Sequence, residues 1–343
     1  MPAAAFPEKI GLCFHDVPPG SRVVALAKRA EELGYSSLWA AETRLTRDAI
    51  SVLGALAAST ERVQLGSSIV NTWTRGPVLM ALTFISLNGL APGRVALGLG
   101  AYSDPLASNQ GVERRKPVTQ MREYVDVVRR LFRNETVTYE GEVVRITDVT
   151  LDLTRGEEGQ PLDLPIYIGA TGNKMLDLAG EIADGVVLNG FLPAAYTSRA
   201  TARVRAAAVA AGRDPGALAF PQLLGVAVSE DGETARATAK TFVTMYLGGQ
   251  PHIARAIGLD PEFVERLTAL IGSWPPKPGG LEEAMGLVGM ETVDSLVVSG
   301  TAAEARDRIG EWVEAGADYP IITPLTENAE EVCEALAPGS GSA

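Results

Sequence analysis

Histidine and cysteine are scarce in this chain, which has 2 of each among its 343 residues. Cys13 and Cys333 are too few for a disulfide framework, and neither stands at the spacing of a metal ligand. The motifs HExxH, DxD, GxSxG and GxxxxGK followed by Ser or Thr are also absent. Metal-dependent hydrolysis, serine-triad catalysis and nucleoside triphosphate chemistry therefore find no support, and no metal site is expected.

The chain also lacks an excess of positive charge and a long apolar run. Its 30 Lys and Arg residues stand against 42 Asp and Glu residues, for a net charge of -12. Nucleic acid and anionic lipid are bound by clustered basic surfaces, so neither is an expected partner. No apolar run reaches the length of a bilayer span, and no signal-peptide pattern opens the chain. We therefore expect a cytoplasmic protein, a location that also fits two unbridged thiols.

Short apolar runs alternate with amphipathic helical segments along most of the chain. Eight runs read as strands buried on both faces: 9–14, 36–41, 62–70, 94–101, 164–169, 185–189, 219–229 and 319–325. Eight parallel strands with their helices close a (β/α)8 barrel, which is the expected α/β fold. An open doubly wound sheet is the alternative if one or two runs are misassigned.

The domain organisation follows from the same pattern. One barrel domain is expected over 1–336, with a helical insertion at 245–295 between strands seven and eight and a flexible tail at 337–343. The insertion serves either as a lid over the barrel mouth or as an oligomer contact. A helix opened by Pro117 and a hairpin with its turn near Glu140 and Gly141 are also predicted.

A glycine turn stands out in PIYIGATGNKMLDLAGEIADGVVLNG, residues 165–190. An apolar strand ends at Gly169-Ala170-Thr171-Gly172, and a helix with Thr171 as its expected N-cap follows at once. Lys174 falls in the first turn, where the helix dipole opposes a cation. A bound phosphate would reverse that effect, because backbone N–H groups, the dipole and the lysine would all face it. The alternative is that the lysine only extends into solvent.

The carboxyl ends of barrel strands are where reactive groups gather, so the residues there are candidates. Glu42 is the first candidate for delivering a proton, because partial burial would raise its pKa; an ion pair with Arg44 or Arg47 is the alternative. His15 is a further candidate acid or a hydrogen-bonded wall residue, and Tyr102 is the third. Further candidates at the predicted strand ends are Ser67, Ser68, Ile69, Asn71, Gly100 and Asn189.

Several of these motifs coincide with one family. LGSSIVNTWTRGP, RVALGLGA, GVERRKPVTQMREYVDVVRRLF, YEGE and the 165–190 string resemble the luciferase-like flavin and deazaflavin enzymes, most of all the coenzyme F420-dependent methylenetetrahydromethanopterin reductase-like branch. The resemblance covers about 9–230 and resumes at 299–325, leaving 245–295 unmatched.

The resemblance implies a barrel with a deazaflavin ring across its mouth, the phosphate of the cofactor at the glycine turn and Lys174, and further cofactor contacts from Ser67, Ser68, Ile69, Asn71, Gly100 and Asn189. It also implies a non-prolyl cis peptide at Ser68-Ile69, for which an ordinary trans bulge is the alternative. Relatives often carry an acid and a histidine after strand two. This chain has Glu42-Thr43 there, so the acid is retained and the imidazole is missing, and His15 comes from another strand.

Three functions are consistent with these features. The first is an F420-dependent oxidoreductase that moves a hydride between the deazaflavin C5 and an electrophilic C=N, C=C or C=O carbon of a small organic substrate. The second is an FMN-dependent luciferase-like monooxygenase, since FMN brings a phosphate to the same turn. The third is a ligand-binding relative without turnover. By analogy with luciferase-like barrels, a homodimer is expected.

Overall fold

The structure is a computed structural model that describes residues 6–42, 46–104, 106–153, 161–272 and 276–338. Within these ranges the strands are β1 (Gly11–Phe14), β2 (Ser37–Ala40), β3 (Gln64–Ser67), β4 (Val70–Asn71), β5 (Val95–Gly100), β6 (Val137–Glu140), β7 (Arg145–Val149), β8 (Ile166–Gly169), β9 (Gly185–Val187), β10 (Pro221–Val228), β11 (Val298–Gly300) and β12 (Tyr319–Pro324).

The helices follow the strands in the predicted alternation. They are α1 (Val23–Glu32), α2 (Ala49–Ser59), α3 (Pro77–Leu90), α4 (Leu106–Asn109), α5 (Pro117–Phe132), α6 (Asn173–Ile182), α7 (Ala194–Ala210), α8 (Gly232–Gly249), α9 (Pro251–Ala256), α10 (Pro261–Ile271), α11 (Gly280–Leu287), α12 (Met290–Leu296), α13 (Ala302–Glu314) and α14 (Ala329–Ala335). Among the described helices, none combines the length and apolar character needed to cross a membrane.

Two compact units make up the chain. We call Leu38–Val187 with Arg203–Ala219 the middle unit, and Met1–Ser37, Leu188–Ala202 and Phe220–Ala343 the terminal unit.

The middle unit contains a run of strands in the order β2-β3-β5-β8-β9, with β4 pairing β5. Strands in this run pair in parallel, for example Leu65 with Val95, Gly100 with Gly169 and Tyr167 with Gly185. Parallel strands place their carboxyl ends at one edge. The chain segments that follow β3, β5 and β8 therefore share that edge.

The terminal unit contains the run β11-β10-β12-β1, again parallel. The strand β11 was not predicted, because its three residues are too few to show a periodicity. The segment 245–295 lies between β10 and β11, and therefore between the two predicted strands at 219–229 and 319–325.

The described parts of the segment 245–295, which are 245–272 and 276–295, are mainly helical, as predicted. Helices α9 to α12 and the end of α8 bury their apolar side chains in one cluster, which includes Leu247, Ala254, Val264, Leu267, Ile271, Ala284, Val288, Val293 and Leu296. This burial gives the segment a hydrophobic core shared with α8 and β10.

The helix and the hairpin that follow β5 were both predicted correctly. Helix α5 starts at Pro117 and buries the expected apolar stripe, and β6 pairs with β7 in antiparallel fashion. Glu123 of α5 fixes the hairpin turn, because its carboxylate accepts the backbone N–H groups of residues 142, 143 and 144 at 2.8, 2.9 and 2.7 Å. The buried Glu123 carboxylate therefore has a structural role, which is to hold the hairpin turn.

Candidate active site

The bulge expected in the third predicted strand is present. β3 ends at Ser67, the Ser68–Ile69 peptide bond is cis, and β4 begins at Val70. Ser67 Oγ accepts a hydrogen bond from Gly98 N and donates one to Gly98 O, each at 2.8 Å. The cis peptide inferred from the family resemblance is therefore confirmed, and a serine side chain ties the bulge to β5.

Ile69 lies against two glycines from neighbouring strands. Gly100 of β5 and Gly169 of β8 are partners in the parallel register. A Cβ atom on Gly169 would stand 2.8 Å from Ile69 Cγ2, and one on Gly100 would collide with Cδ1. Only a residue without a side chain allows this approach. Three of the predicted cofactor residues are thus brought together at one strand edge.

Glu42 follows β2 and reaches the same edge. Its backbone N–H donates to Ile69 O at 3.2 Å, which places the residue beside the bulge. Its carboxylate accepts three hydrogen bonds: from Asn71 N at 3.3 Å, from Asn71 Nδ2 at 3.2 Å and from Arg75 Nη1 at 2.6 Å. The side chain is 16% exposed. The Glu42 carboxylate is the acceptor in all three hydrogen bonds.

Arg44 and Arg47 are the ion-pair partners predicted for Glu42 from the sequence. In the structure the partner is Arg75, whose second guanidinium nitrogen also binds Asp48. Arg44 lies outside the described residues. An ion pair at Glu42 was therefore a sound alternative, with a partner from the segment after β4.

Asp48 is the N-cap of α2. Its Oδ1 accepts from Ser51 N at 2.6 Å, and Oδ2 binds Arg75. Burial acts to raise the pKa of Asp48, but the hydrogen bonds from Ser51 and the charge of Arg75 outweigh it and the pKa is lowered overall. Arg75 is thus held between two carboxylates.

Asn71, a predicted cofactor residue, orients this network. Its side-chain Oδ1 accepts from Trp73 N at 3.0 Å and from Thr74 N at 2.9 Å, while its Nδ2 donates to Glu42. The residue is 5% exposed. Oδ1 therefore shapes the turn that leads to Arg75, and the amide N–H steadies the acid.

A cleft of about 370 Å³ opens beside these residues. Among the described residues that line it, Ile69 is the one aliphatic side chain; these residues are Glu42, Thr46, Arg47, Asp48, Ile69, Asn71, Thr74, Arg75, Tyr102 and Gln110. The cleft has the volume and the convergent polar groups of a small-molecule site.

Tyr102 lines the cleft in an unusual backbone conformation, with φ at +57°. The preceding carbonyl, Ala101 O, accepts from Trp73 Nε1 at 3.0 Å and from Arg114 Nε at 2.9 Å. The tyrosine hydroxyl is bound by Gln110 Nε2. A non-glycine residue in the left-handed region costs about 1 kcal/mol or more and persists where its surroundings enforce it. The two donors to Ala101 O supply that enforcement.

The glycine turn after β8 leads into α6 as predicted, and Lys174 lies in the first turn. Gly172 is the N-cap and no side chain caps the helix, so the prediction of Thr171 as the cap was wrong by one residue. The first turn contains no acidic residue, and the nearest acid along the helix, Asp177, is paired with Arg203 at 2.6 Å. Lys174 is exposed. The positive end of α6 is therefore not neutralised by its own first turn.

His15 and Asn189 belong to the terminal unit. His15 is 5% exposed, and its Nε2 lies 2.8 Å from Pro324 O, the contact of a hydrogen-bonded wall residue. Asn189 follows β9, where its Oδ1 accepts from Phe191 N at 3.0 Å and its Nδ2 donates to Tyr246 Oη at 2.6 Å.

The residues that orient the site were not predicted from the sequence. These are Asp48, Trp73, Arg75, Gln110 and Arg114. One signal was available for Arg75, because a partly buried acid requires a cation and this arginine follows the third predicted strand by a few residues. Trp73, Gln110 and Arg114 carry no local signal.

Three features of the structure define the class of protein to which the chain belongs. They are parallel strands with their helices, a cis bulge packed against glycines, and a glycine turn before a helix. The chain belongs to the luciferase-like monooxygenase family, whose model matches residues 9–319. It is 28% identical over 329 residues to the 5,10-methylenetetrahydromethanopterin reductase of Methanolobus tindarius, covering 95% of this chain and 97% of the relative. It is 31% identical over 261 residues to the F420-dependent glucose-6-phosphate dehydrogenase of Nakamurella multipartita, covering 72% and 74%.

The solved structure of the coenzyme F420-dependent tetrahydromethanopterin reductase from Methanopyrus kandleri matches with a TM-score of 0.81 at 22% identity, covering 98% of each chain. This likeness confirms the predicted α/β fold class, the luciferase-like TIM barrel.

Proposed function

We propose that this chain is a coenzyme F420-dependent oxidoreductase. It moves a hydride between C5 of the deazaflavin and an electrophilic C=N, C=C or C=O carbon of a small organic substrate. Membership of the luciferase-like family and the likeness to two F420-dependent enzymes support the cofactor and the reaction class. The substrate is small and organic, and the polar cleft of about 370 Å³ is large enough for one.

The observation that carries the proposal is the uncompensated positive charge at the start of α6. Lys174 is exposed there, and no acid stands in the first turn. A phosphate group fits this environment, because helix N-terminal N–H groups and a lysine both favour it. Gly169, Ala170, Thr171, Gly172 and Lys174 are the proposed phosphate residues.

The strand edge that carries the Ser68–Ile69 bulge is proposed to hold the ring of the cofactor. Ser67, Ser68, Ile69 and Gly100 are proposed to contact the ring, since they form the cis bulge and the strand end that packs against it. A bound deazaflavin would supply the hydride chemistry, and the protein would supply binding and orientation.

Glu42 and Tyr102 are the proposed groups for moving a proton, because both line the cleft. Arg75 and Asn71 fix the Glu42 carboxylate, and Gln110 binds the Tyr102 hydroxyl. His15 remains a candidate of lower rank, since its ring is engaged with the Pro324 carbonyl.

The test is a titration of the apo protein with F420 and with FMN, side by side. We expect saturable binding of F420, and about a tenfold or greater loss of affinity in Lys174→Met, since a charged hydrogen bond is worth about 1.5–3 kcal/mol. Lys28→Met, which removes an exposed lysine from α1, is the matched control and should bind normally. Binding of FMN alone, with oxygen consumption, would select the monooxygenase. No binding of either would reject the proposal.

We also propose that two copies pair through α2 and α3 of the middle unit. These helices contain 11 and 14 residues without a single charge, in a chain that is 21% charged. Leu79, Leu82 and Leu90 of α3 are 56%, 39% and 56% exposed. Because each copy carries a net charge of -12, a face without charges is where two copies meet with least repulsion.

Light scattering tests the pairing. Leu82→Arg is expected to halve the measured mass, whereas Val209→Arg, at a 60% exposed apolar position on α7, is expected to leave it unchanged. A wild-type monomer, or equal dissociation by both variants, would contradict it.

The proposed location is the cytoplasm, where the two buried thiols would remain without a disulfide.

A further inference from the structure

Asn71 and Arg75, which bind the Glu42 carboxylate, are the two ends of one short segment, 71–75. Beyond Asn71 this segment is neither helix nor strand. A stretch of backbone without the hydrogen bonds of a helix or a sheet must find partners elsewhere, and those partners fix its conformation. The position of the Arg75 guanidinium therefore depends on what the segment contacts.

Helix α5 provides two of these contacts. Gln120 Nε2 donates to Thr72 O at 3.0 Å, and Gln120 Oε1 accepts from Thr72 Oγ1 at 2.8 Å. Tyr124 lies one turn further along the helix, and its hydroxyl donates to Arg75 O at 2.8 Å. Residues one turn apart share a face of a helix. One face of α5 thus holds the segment near both of its ends.

The two side chains on this face are buried. Gln120 is 3% exposed and Tyr124 is 1% exposed, so solvent has little access to these bonds. Burial raises the pKa of Tyr124, and its hydroxyl therefore keeps the proton that it donates. A buried polar group costs free energy unless it is hydrogen-bonded. The bonds to the segment 71–75 supply that compensation and at the same time fix the segment.

We propose that Tyr124 and Gln120 are positioning residues for the Glu42 carboxylate. They fix the backbone of the segment 71–75, and that backbone places the Arg75 guanidinium against the acid. All of these residues lie in the middle unit. Helix α5 thereby sets the geometry of a group that is proposed to move a proton. This inference rests on the proposed function, since it takes Glu42 to be that group.

The test measures how firmly Arg75 is held, from its rate of modification by the arginine reagent phenylglyoxal, followed by peptide mass mapping. Tyr124→Phe keeps the ring and removes only the hydroxyl. We expect Arg75 to react about 3–10 times faster in this variant, the range typical of one neutral hydrogen bond. Gln120→Met is a second variant and should act in the same direction. Tyr35→Phe is the matched control, because it removes a buried hydroxyl bonded to a backbone carbonyl at 3.0 Å in the terminal unit.

Two further readouts separate positioning from a general loosening of the fold. Arg94 lies in the middle unit and donates to the carbonyls of Thr60 and Val63 at 2.9 and 3.0 Å, so its rate should stay that of the wild type. In a Glu42→Gln background, the change at Tyr124 should alter the Arg75 rate less, because the charged partner of the arginine is gone.

The inference is overturned by any of four results. These are an unchanged Arg75 rate in Tyr124→Phe, an equal acceleration at Arg94, an equal effect of Tyr35→Phe, or a Tyr124 effect that is undiminished in Glu42→Gln. Each of them leaves the proposed function intact as long as the wild type binds F420. Failure of the wild type to bind F420 removes the proposed function, and with it the role of Glu42, even where the labelling result holds.

Discussion

The pairing of Arg75 with Glu42 yields a quantitative prediction for the stability of the site. The change is Arg75→Met, which keeps most of the length of the side chain and removes its charge. Glu42 then keeps its two contacts from Asn71 but loses the 2.6 Å bond to the guanidinium. The two side chains are 19% and 16% exposed, so solvent replaces that bond only in part.

The magnitude follows from the burial of each partner. Removing one member of a fully buried ion pair costs about 3–5 kcal/mol, and a partly exposed pair falls below that range. The bond between Arg75 and Asp48 adds about 0–1 kcal/mol, because Asp48 is 42% exposed. We therefore expect Arg75→Met to lower the free energy of unfolding by about 2–3 kcal/mol.

The assay is equilibrium urea unfolding of Arg75→Met, Glu42→Gln and the double variant. Since Glu42→Gln removes the charge that Arg75 balances, we expect the two changes to be non-additive by about 1–2 kcal/mol. Arg122→Met is the control, because its partner Glu181 is 37% exposed and the pair lies at the surface. That variant should lose less than about 1 kcal/mol. Additive effects at Arg75 and Glu42, or equal losses at Arg75 and Arg122, would refute this reasoning.

Three further predictions follow from single contacts. Glu123→Gln should lower the free energy of unfolding by about 2–3 kcal/mol, because an amide cannot accept all three N–H groups of residues 142–144, whereas Glu135→Gln at an exposed pair should cost far less. Burial raises the pKa of Cys333 to about 12, so this cysteine should resist a thiol reagent at pH 8 until the chain is unfolded. Rapid labelling of the native chain would contradict this prediction. Asp48→Asn should be less stable than the wild type at neutral pH, with the difference shrinking in acid.

The direction of the Asp48 effect follows from its lowered pKa. A group whose pKa is lower in the folded state stabilises that state above its unfolded pKa of about 3.9, and the benefit is lost as the pH falls through the folded pKa. Urea midpoints measured from pH 7 to pH 2 should therefore converge for the wild type and Asp48→Asn. Parallel curves across that range would show that the carboxylate charge has no part in the cap.

Much of the fold was readable from the sequence because helices and strands are local patterns. The stripe of α5, the hairpin after it and the glycine turn before α6 each depend on residues within a few positions of one another. The exceptions have local causes as well. The strand β11 is three residues long, and the N-cap of α6 is a glycine that makes no side-chain bond. The residue types at these positions therefore predicted neither the strand β11 nor the N-cap of α6.

In the candidate site, too, some features follow from local sequence patterns and others do not. The sequence alone determined that strand ends carry Glu42, Ile69, Gly100 and Gly169 and that Lys174 opens a helix, because position along a strand or helix is a matter of spacing. Only the tertiary structure decided that Arg75, 33 residues along the chain, binds Glu42 and that Tyr246, 57 residues along, binds Asn189. Such contacts depend on how whole elements pack and on burial, which selects one partner for a polar group among many of the same type.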